Sequence, residues 1–213
     1  RERLEIQRGM YCFYPPSSIS CHVSMCPNAQ TLRTTPLSTR FNVAAFGVMG
    51  YELDFGELTP EERRQIKDQI AFYKQHRQTF QFGRFSRYFP KAGQRESWQM
   101  AGEGEIIAGI YNLSYGAIPA RDTLRLLQAK PGKTYKMKSV PQKLRISRFG
   151  GLIKHVTPVK LRADGAVLRF ADRHFAMPDG AEEYTCCGET LQAGVNLAMQ
   201  YSGTGYSPDL RIA

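Results

Sequence analysis

The chain has 213 residues, of which 42% are hydrophobic and 23% are charged, a composition typical of globular proteins. No stretch approaches the roughly 20 consecutive apolar residues that a membrane helix needs, and the opening RERLEIQRGM lacks the apolar core of a signal peptide. The net charge of +10 raises nucleic acid or another polyanion as a partner.

The cysteines are few and odd in number, and their spacings form no disulfide framework. The five are Cys12, Cys21, Cys26, Cys186 and Cys187. This usage is typical of reduced thiols in a reducing compartment, so it predicts a cytoplasmic protein. Because the sequence lacks an initiator Met and begins inside a helical pattern, we expect it to be a piece of a longer protein.

The first half of the chain predicts a helix, a loop and a strand in that order. Residues 2–7 are helical in character, with Gly9 as the C-cap, and residues 10–14 are aromatic and β-prone. A loop rich in Ser, Cys, Pro and Asn then runs to about Asn28. The apolar run FNVAAF (residues 41–46) is typical of a buried parallel strand.

The best-marked element is a helix that begins after Thr59. Thr59 and Glu62 have the spacing of a capping box, and Pro60 occupies the first helical position. Apolar residues then recur at i, i+4 and i+7 from Ile66, opposite a basic face. We expect this helix to end at residues 80–83, and the strand–helix order indicates α/β structure.

After about Pro90 the pattern changes to short β-prone runs separated by turn signals, which predicts an antiparallel β-sandwich. The runs are residues 105–115, 123–129, 134–140, 143–149 and 167–173. We therefore expect a domain boundary between Tyr88 and Trp98, with domains at residues 1–89 and 90–213.

Seven sequence blocks, which cover nearly the whole chain, carry a family resemblance. In the first half they are RLEIQRG (residues 3–9), YPPSSISCHVSMCPN (14–28), TPLSTRFNVAAFGVMGYELD (35–54) and LTPEERRQIKDQIAFYKQHR (58–77). In the second half they are SVPQKLRISRFGGLIKHVTPVKL, RFADRHFAMPDG and GTGYSPDLR. In this order the blocks resemble the C-terminal part of bacterial α-galactosidases of glycoside hydrolase family 36.

The resemblance implies a fold of two parts: the last quarter of a (β/α)8 TIM barrel, with its seventh and eighth strands, followed by a β-sandwich that is cut at its end. It also implies a retaining hydrolase of terminal α-galactosides such as melibiose and raffinose, without a metal or cofactor and commonly oligomeric. Retaining chemistry needs two carboxyl groups about 5–5.5 Å apart. In the family both are aspartates, in Lys-Trp-Asp and Ser-Asp-x-Thr-Asp motifs. Neither motif occurs in this chain, so we expect both aspartates upstream of Arg1 and no activity of the chain alone.

The carboxyl ends of barrel strands and their loops form the active face of such barrels. The resemblance therefore implies substrate-binding positions at the barrel mouth. They are Ser20, His22, Ser24, Asn28, Phe46 and Gly47. Where the family usually has Met-Gly-x-His, this chain has Ile19-Ser20-Cys21-His22, a difference that bears on the path of the loop.

Other motifs have simpler explanations than chemistry. Glu52 and Asp54 share one face of a strand and are better interpreted as a solvated or salt-bridged strand end than as a glycosidase pair. Cys21, His22 and Cys26 could ligate a metal, but the second pair that zinc sites need is missing from the pattern, so we predict none. The PGKT sequence (residues 131–134) lacks the earlier glycine of a phosphate loop and predicts a turn, and the Cys186-Cys187 pair indicates packing.

One alternative function remains open, a basic β-sandwich module that binds nucleic acid or another polyanion. Twelve Lys and Arg residues occur between residues 130 and 173. Basic residues alternate along the predicted strands, and aromatic residues nearby could stack on bases. The residues are Lys136, Lys138, Arg145, Arg148, Tyr135, Phe149 and Phe170. Such a module would show steep salt dependence of binding.

Overall fold

A computed structural model of the chain describes residues 2–91, 95–113, 123–140, 143–145, 165–174, 176–178, 182–197 and 210–212. The first part of the chain alternates helices with two strands. The elements are α1 (Glu2–Met10), a 3-10 turn (Pro16–Ser18), β1 (Ser20–Ser24), α2 (Leu37–Ala44), β2 (Val48–Glu52) and α3 (Pro60–Phe82). The strands β1 and β2 are parallel and in register from Ser20 opposite Val48 to Ser24 opposite Glu52.

The helix α3 confirms the strongest sequence prediction. The Thr59 hydroxyl accepts a hydrogen bond from the Glu62 backbone at 3.2 Å, and the Glu62 carboxylate accepts one from the Thr59 backbone at 3.0 Å. Both orphan N–H groups of the first turn are thereby satisfied. The helix ends at Phe82, within the predicted range.

The prediction of a strand over residues 41–46 is wrong. Residues 41–44 belong to α2, whose Leu37, Phe41 and Ala44 form a buried face at helical spacing. Phe46 is also fully buried, so this run presents no exposed strand edge. The predicted β-prone run 10–14 is a turn that follows α1.

The second part of the chain is mainly antiparallel. Its elements are β3 (Arg84–Lys91), β4 (Arg95–Ala101), β5 (Ile106–Asn112), β6 (Thr123–Leu124), β7 (Thr134–Lys138), β8 (Lys143–Arg145), α4 (Ala166–His174), β9 (Ala176–Pro178), β10 (Glu183–Cys187), α5 (Gly188–Ala193), β11 (Val195–Asn196) and β12 (Leu210–Ile212). The largest sheet has the order β12-β5-β4-β3. The strand pairs β7–β10, β6–β11 and β8–β9 are antiparallel as well.

Four of the ten strands that the structure describes in this part, β5 to β8, lie within predicted runs, and one run was misassigned. β5 and β7 lie within the predicted runs 105–115 and 134–140, whereas the run 167–173 is helical, in α4. The coarse fold is thus a mixed α/β part followed by antiparallel sheets, and the described strands close no barrel.

Two hydrophobic cores lie on the two faces of β4 and β5. The first joins the helices and the parallel pair to the sheet through Phe46, Phe80, Trp98 and Tyr111. The second is aliphatic and includes Ile110. The first core therefore crosses the predicted domain boundary, and β3 itself runs from residue 84 to 91 across it.

Candidate functional site

The exposed face of the parallel strands carries the polar residues that the sequence singled out. Side chains alternate along β1, so that Cys21 and Val23 are buried against the helices while Ser20 and His22 face outward, with Ser24 half-buried. The alternation of polar and apolar residues in SCHVS is a strand signal that the sequence analysis missed when it assigned this stretch to a loop.

A hydrogen bond and a longer polar contact connect this face across both strands. The Ser20 hydroxyl lies 2.8 Å from His22 Nε2, and His22 Nδ1 lies 3.6 Å from a Glu52 carboxylate oxygen. The His22 and Glu52 side chains are 46% and 71% exposed. Glu52 is therefore a largely solvated strand end in contact with His22, which fits the interpretation from the sequence of a solvated or salt-bridged strand end. Asp54 accepts a hydrogen bond from Gly56 N at 2.7 Å in the turn that follows.

Two arginines attach this surface to the neighbouring elements. Arg3 of α1 donates to the His22 carbonyl and, at 2.5 Å, to the Ser24 hydroxyl. Arg40 of α2 donates to the Ser24 carbonyl. The carboxyl end of β1 is thus held by charge-assisted hydrogen bonds from both sides. No local motif marks Arg3, since its partners lie about 20 residues away in sequence.

Asn28 lies in the loop after β1, where it shapes the backbone. Its amide oxygen accepts hydrogen bonds from Thr31 N at 2.9 Å and Gln30 N at 3.1 Å. An asparagine oxygen that accepts from backbone N–H groups two and three residues on is typical of a turn. Its side-chain oxygen is therefore occupied by its own loop.

Phe46 and Gly47 lie apart from the other candidates. Both are buried and come just before β2. They therefore lie at the end of the strand pair near Ser20, and Ser24 lies at the other end. The Phe46 ring contacts Phe80 and Trp98 edge to face, with centroids 5.4 and 5.8 Å away. At Gly47 a side chain would meet Cys21 Sγ at 2.7 Å, so the close approach of β1 requires glycine there.

The buried groups behind this face are not poised for nucleophilic or metal chemistry. Burial raises the pKa of the Cys21 thiol to about 12, against a smaller opposing effect of Arg3, and burial also raises the pKa of Tyr11. Cys21 and His22 point to opposite faces of β1, while Cys26 Sγ accepts a hydrogen bond from Thr35 N at 3.1 Å. Within the described ranges, no cluster of three or more His, Cys, Asp or Glu side chains has metal-site geometry.

The basic strands form a second polar region. Lys136 and Lys138 of β7 pair with Glu183 of β10 at 2.5 and 3.3 Å, and the hydrogen bond from Lys136 lowers the Glu183 pKa. Residues 131–134 are a turn, as predicted, in which Gly132 N donates to Glu189 at 2.8 Å. Of the other residues in the alternative function, Arg148 and Phe149 lie outside the described residues.

Cys186 and Cys187 lie on β10, and both are free thiols. Cys186 contributes to the second hydrophobic core, in agreement with the packing role inferred from the sequence. Cys187 Sγ lies 3.1 Å from the Thr190 hydroxyl at the start of α5.

Comparison with known proteins identifies the class to which these elements correspond. Residues 1–83 match the family model described as Melibiase. The α-galactosidase Mel36A of Lactobacillus acidophilus is 37% identical over 137 residues, which make up 63% of this chain and 19% of the relative. None of the helices in the described part of the chain is long and apolar enough to span a membrane.

Solved structures extend the match to nearly the whole chain. The α-galactosidase from Lactobacillus brevis superposes with a TM-score of 0.67 at 28% identity, over 99% of this chain and 24% of that one. AgaA from Geobacillus stearothermophilus, a family 36 α-galactosidase crystallised in complex with raffinose, superposes with a TM-score of 0.70 at 26% identity and the same coverage.

The proteins that the chain matches are glycoside hydrolases. It matches a segment of the family 36 α-galactosidases, which confirms the resemblance found in the sequence blocks. The chain spans about a fifth of the length of the curated relative and about a quarter of the solved chains.

Proposed function

We propose that this chain is the C-terminal part of a retaining α-galactosidase that hydrolyses terminal α-galactosides of the melibiose and raffinose type. The observation that carries the proposal is the superposition of 99% of the chain on AgaA, a relative crystallised with raffinose. Both catalytic aspartates would lie upstream of Arg1, so the chain alone has no nucleophile and no activity.

The finer architecture is also a proposal. The parallel pair β1–β2 with its flanking helices would be the last quarter of a (β/α)8 barrel, and the antiparallel strands would form a C-terminal sandwich. The sequence placed the domain boundary near residue 89. We propose to move it to the end of α3 at Phe82, because β3 is hydrogen-bonded to β4 along most of its length and the Melibiase match ends at residue 83.

The exposed face of β1 is the proposed contribution to the substrate site. In a closed barrel, one face of each strand packs on the helices and the other lines the interior. Cys21 and Val23 pack toward the helices, so Ser20, His22 and Ser24 would face inward. Arg3 would hold the end of β1 in place. We propose that Asn28 shapes the loop at the barrel mouth, since its side-chain oxygen bonds to that loop. Phe46 and Gly47 would support the loop from below, since they pack against Trp98 and Cys21.

Several properties of the parent follow from the same proposal. Its ligands would be α-galactoside oligosaccharides, bound without metal or cofactor. We further propose a cytoplasmic homo-oligomer, in line with the free cysteines on the described strands and loops.

The coding DNA upstream of Arg1 tests the proposal directly. We expect an in-frame Ser-Asp-x-Thr-Asp motif close to Arg1 and a Lys-Trp-Asp motif further upstream. The complete product should release galactose from raffinose, with retention of the anomeric configuration by NMR, whereas the 213-residue chain should release none. A start codon immediately before Arg1, with neither motif upstream, would contradict the proposal.

His22 offers a test of the site itself. In the complete protein, His22→Ala should raise KM for raffinose about tenfold, the equivalent of a lost hydrogen bond of ~1.4 kcal/mol, with a smaller change in kcat. His174→Ala, which removes an exposed histidine of α4, is the matched control. Equal kinetics of the two variants would remove His22 from the site and leave the family assignment intact.

A further inference from the structure

A cationic cleft lies between the carboxyl-terminal half of α3 and the antiparallel strands. Its volume is about 1070 Å³, and it is lined by residues from α3, β5, β7 and the segment between β6 and β7. This is the size of pockets that hold small organic ligands. The cleft is separate from the polar face of β1, none of whose residues lines it.

Cationic residues predominate around the cleft. Five lining residues are cationic, namely Arg84, Lys130, Lys133, Lys136 and Lys138. Lys136 and Lys138 are paired with Glu183, which leaves Arg84, Lys130 and Lys133 for a ligand. Among the lining residues that the structure describes, one is a carboxylate, Glu105, and its two oxygens are engaged by His76 at 2.7 Å and by the Thr79 hydroxyl. A cleft lined mainly by one sign of charge concentrates counter-ions of the opposite sign.

Hydrogen bonds hold the backbone of Lys130 and Lys133 in the turn between β6 and β7. Lys130 N donates to the Tyr135 hydroxyl at 2.8 Å, and the Lys133 carbonyl accepts a hydrogen bond from Gly188 N at 2.8 Å. Within the described part of the chain, no carboxylate forms a salt bridge with either lysine. Both ammonium groups are therefore available to an anionic ligand.

Arg84 at the start of β3 is oriented by Gln128, which lies on the same segment as Lys130. Its Nε donates to Gln128 Oε1 at 2.6 Å, and Gln128 Nε2 donates back to the Arg84 carbonyl at 2.8 Å. This arrangement fixes the start of the side-chain fork and leaves the terminal guanidinium nitrogens for a ligand. An oriented arginine fork matches the geometry of phosphate oxygens.

The rest of the wall is aromatic and aliphatic. Phe72 of α3 and the half-buried Tyr135 of β7 line the cleft together with Ile107 and Leu126. Such a surface fits the body of an organic molecule better than it fits a free inorganic ion. The lining therefore offers both cationic groups for phosphate and apolar groups for an organic body.

We propose that this cleft binds a small phosphorylated organic molecule, whose phosphate groups lie against Lys130, Lys133 and Arg84 and whose body packs on Tyr135 and Phe72. A ligand with more than one phosphate charge is favoured, because Arg84, Lys130 and Lys133 have no carboxylate partner among the described residues. The volume of the cleft is that of a small ligand, and a nucleic acid strand needs a longer groove. This site is independent of galactoside hydrolysis and of the proposed catalytic role of the parent.

Binding to the 213-residue chain can be measured by isothermal titration calorimetry with ATP and sodium tripolyphosphate as probes and neutral raffinose as the blank. We expect ATP to bind with a Kd below about 1 mM. The double variant Lys130→Gln/Lys133→Gln should weaken ATP binding about tenfold through the loss of two charge-assisted contacts. Lys130→Arg/Lys133→Arg, which keeps both charges, should retain it.

The matched control removes the same charge elsewhere. Lys67 and Lys74 are exposed on α3 and do not line the cleft, so Lys67→Gln/Lys74→Gln should leave ATP binding within about twofold. Equal losses in the two Gln variants would overturn the site in favour of a general effect of net charge. If tripolyphosphate bound as tightly as ATP, the proposed packing of the ligand body on Tyr135 and Phe72 would be wrong. A single-stranded oligonucleotide that binds more tightly than ATP would overturn the small-ligand assignment.

Discussion

The two faces of the antiparallel sheet are both buried, but they are built from different side chains. On one face Trp98 contacts the rings of Tyr11, Phe46, Phe85 and Tyr111, at centroid distances of 4.8 to 5.8 Å. Two of these contacts, with Tyr11 and Phe46, join segments that are far apart in the chain. The aromatic face therefore fastens the sheet to the helices and the parallel pair.

The opposite face has an aliphatic core and polar ties. Ala108, Ile110, Leu124 and Leu191 pack there. On this side the fully buried Gln99 donates to the Arg125 carbonyl and accepts from Leu127 N at 2.9 Å. The same sheet thus uses aromatic contacts on one face to join the two parts of the chain. On the other face it uses hydrogen bonds to attach the segment at residues 125–127.

The aromatic face should carry the larger share of stability. Trp98→Ala should lower the free energy of unfolding by about 3–5 kcal/mol, because it empties a large volume among four rings. Leu124→Ala, on the aliphatic face and equally buried, should cost about 2–5 kcal/mol and less than the tryptophan change. Urea denaturation followed by circular dichroism measures both. A larger loss from Leu124→Ala would reverse the comparison.

A buried ion pair lies beside the aromatic contacts. Glu96 is 1% exposed and accepts hydrogen bonds from Arg8 of α1 at 2.8 Å and from Trp98 Nε1 at 2.5 Å. Arg8 also lies 5.4 Å above the Phe89 ring. Since the desolvated carboxylate depends on Arg8 for its counter-charge, the two residues should act as a unit.

Arg8→Met should lower the free energy of unfolding by about 1–3 kcal/mol, because it leaves the Glu96 carboxylate buried with one fewer donor. The double variant Arg8→Met/Glu96→Gln should be more stable than Arg8→Met alone, since the neutral amide needs no counter-charge. A double-mutant cycle by urea denaturation gives the coupling between the two residues. Additivity within about 0.5 kcal/mol would show that Arg8 and Glu96 act independently.

Sequence alone predicted local elements better than it predicted these long-range contacts. The capping box at Thr59 located α3, because its signal lies within four residues. The strand assigned to residues 41–46 was wrong because the short apolar run hid the helical spacing from Leu37 to Phe41 and Ala44.

The sequence grouped candidate residues that the structure places in different surroundings, for the same reason. The polar face of β1 contains Ser20, His22 and Ser24 as a group, whereas Phe46 lies in the core. Its partners Trp98 and Tyr111 come from strands more than 50 residues later. No periodicity within a window of 11–18 residues carries that information.

The smallest expected effect is a pH dependence of stability that arises on the aromatic face. The folded state raises the pKa of Cys21, which packs in the aromatic core, from 9.0 to about 12, chiefly through burial. Above pH 9 the unfolded chain therefore loses a proton that the folded chain keeps, so the free energy of unfolding falls as pH rises. The expected slope from this thiol is ~1.4 kcal/mol per pH unit between pH 9 and 12. Burial raises the pKa of Tyr11 and Tyr111 in the same core, which steepens the loss above pH 10.

Urea denaturation at pH 8 and pH 10 measures this loss, and Cys21→Ala should remove about 1.4 kcal/mol of it, because alanine does not titrate. Cys12→Ala is the control, since Cys12 is exposed and lies outside both cores. If Cys12→Ala flattened the pH dependence as much as Cys21→Ala, the alkaline loss would not originate in the aromatic core, and the difference between the two faces would rest on packing alone.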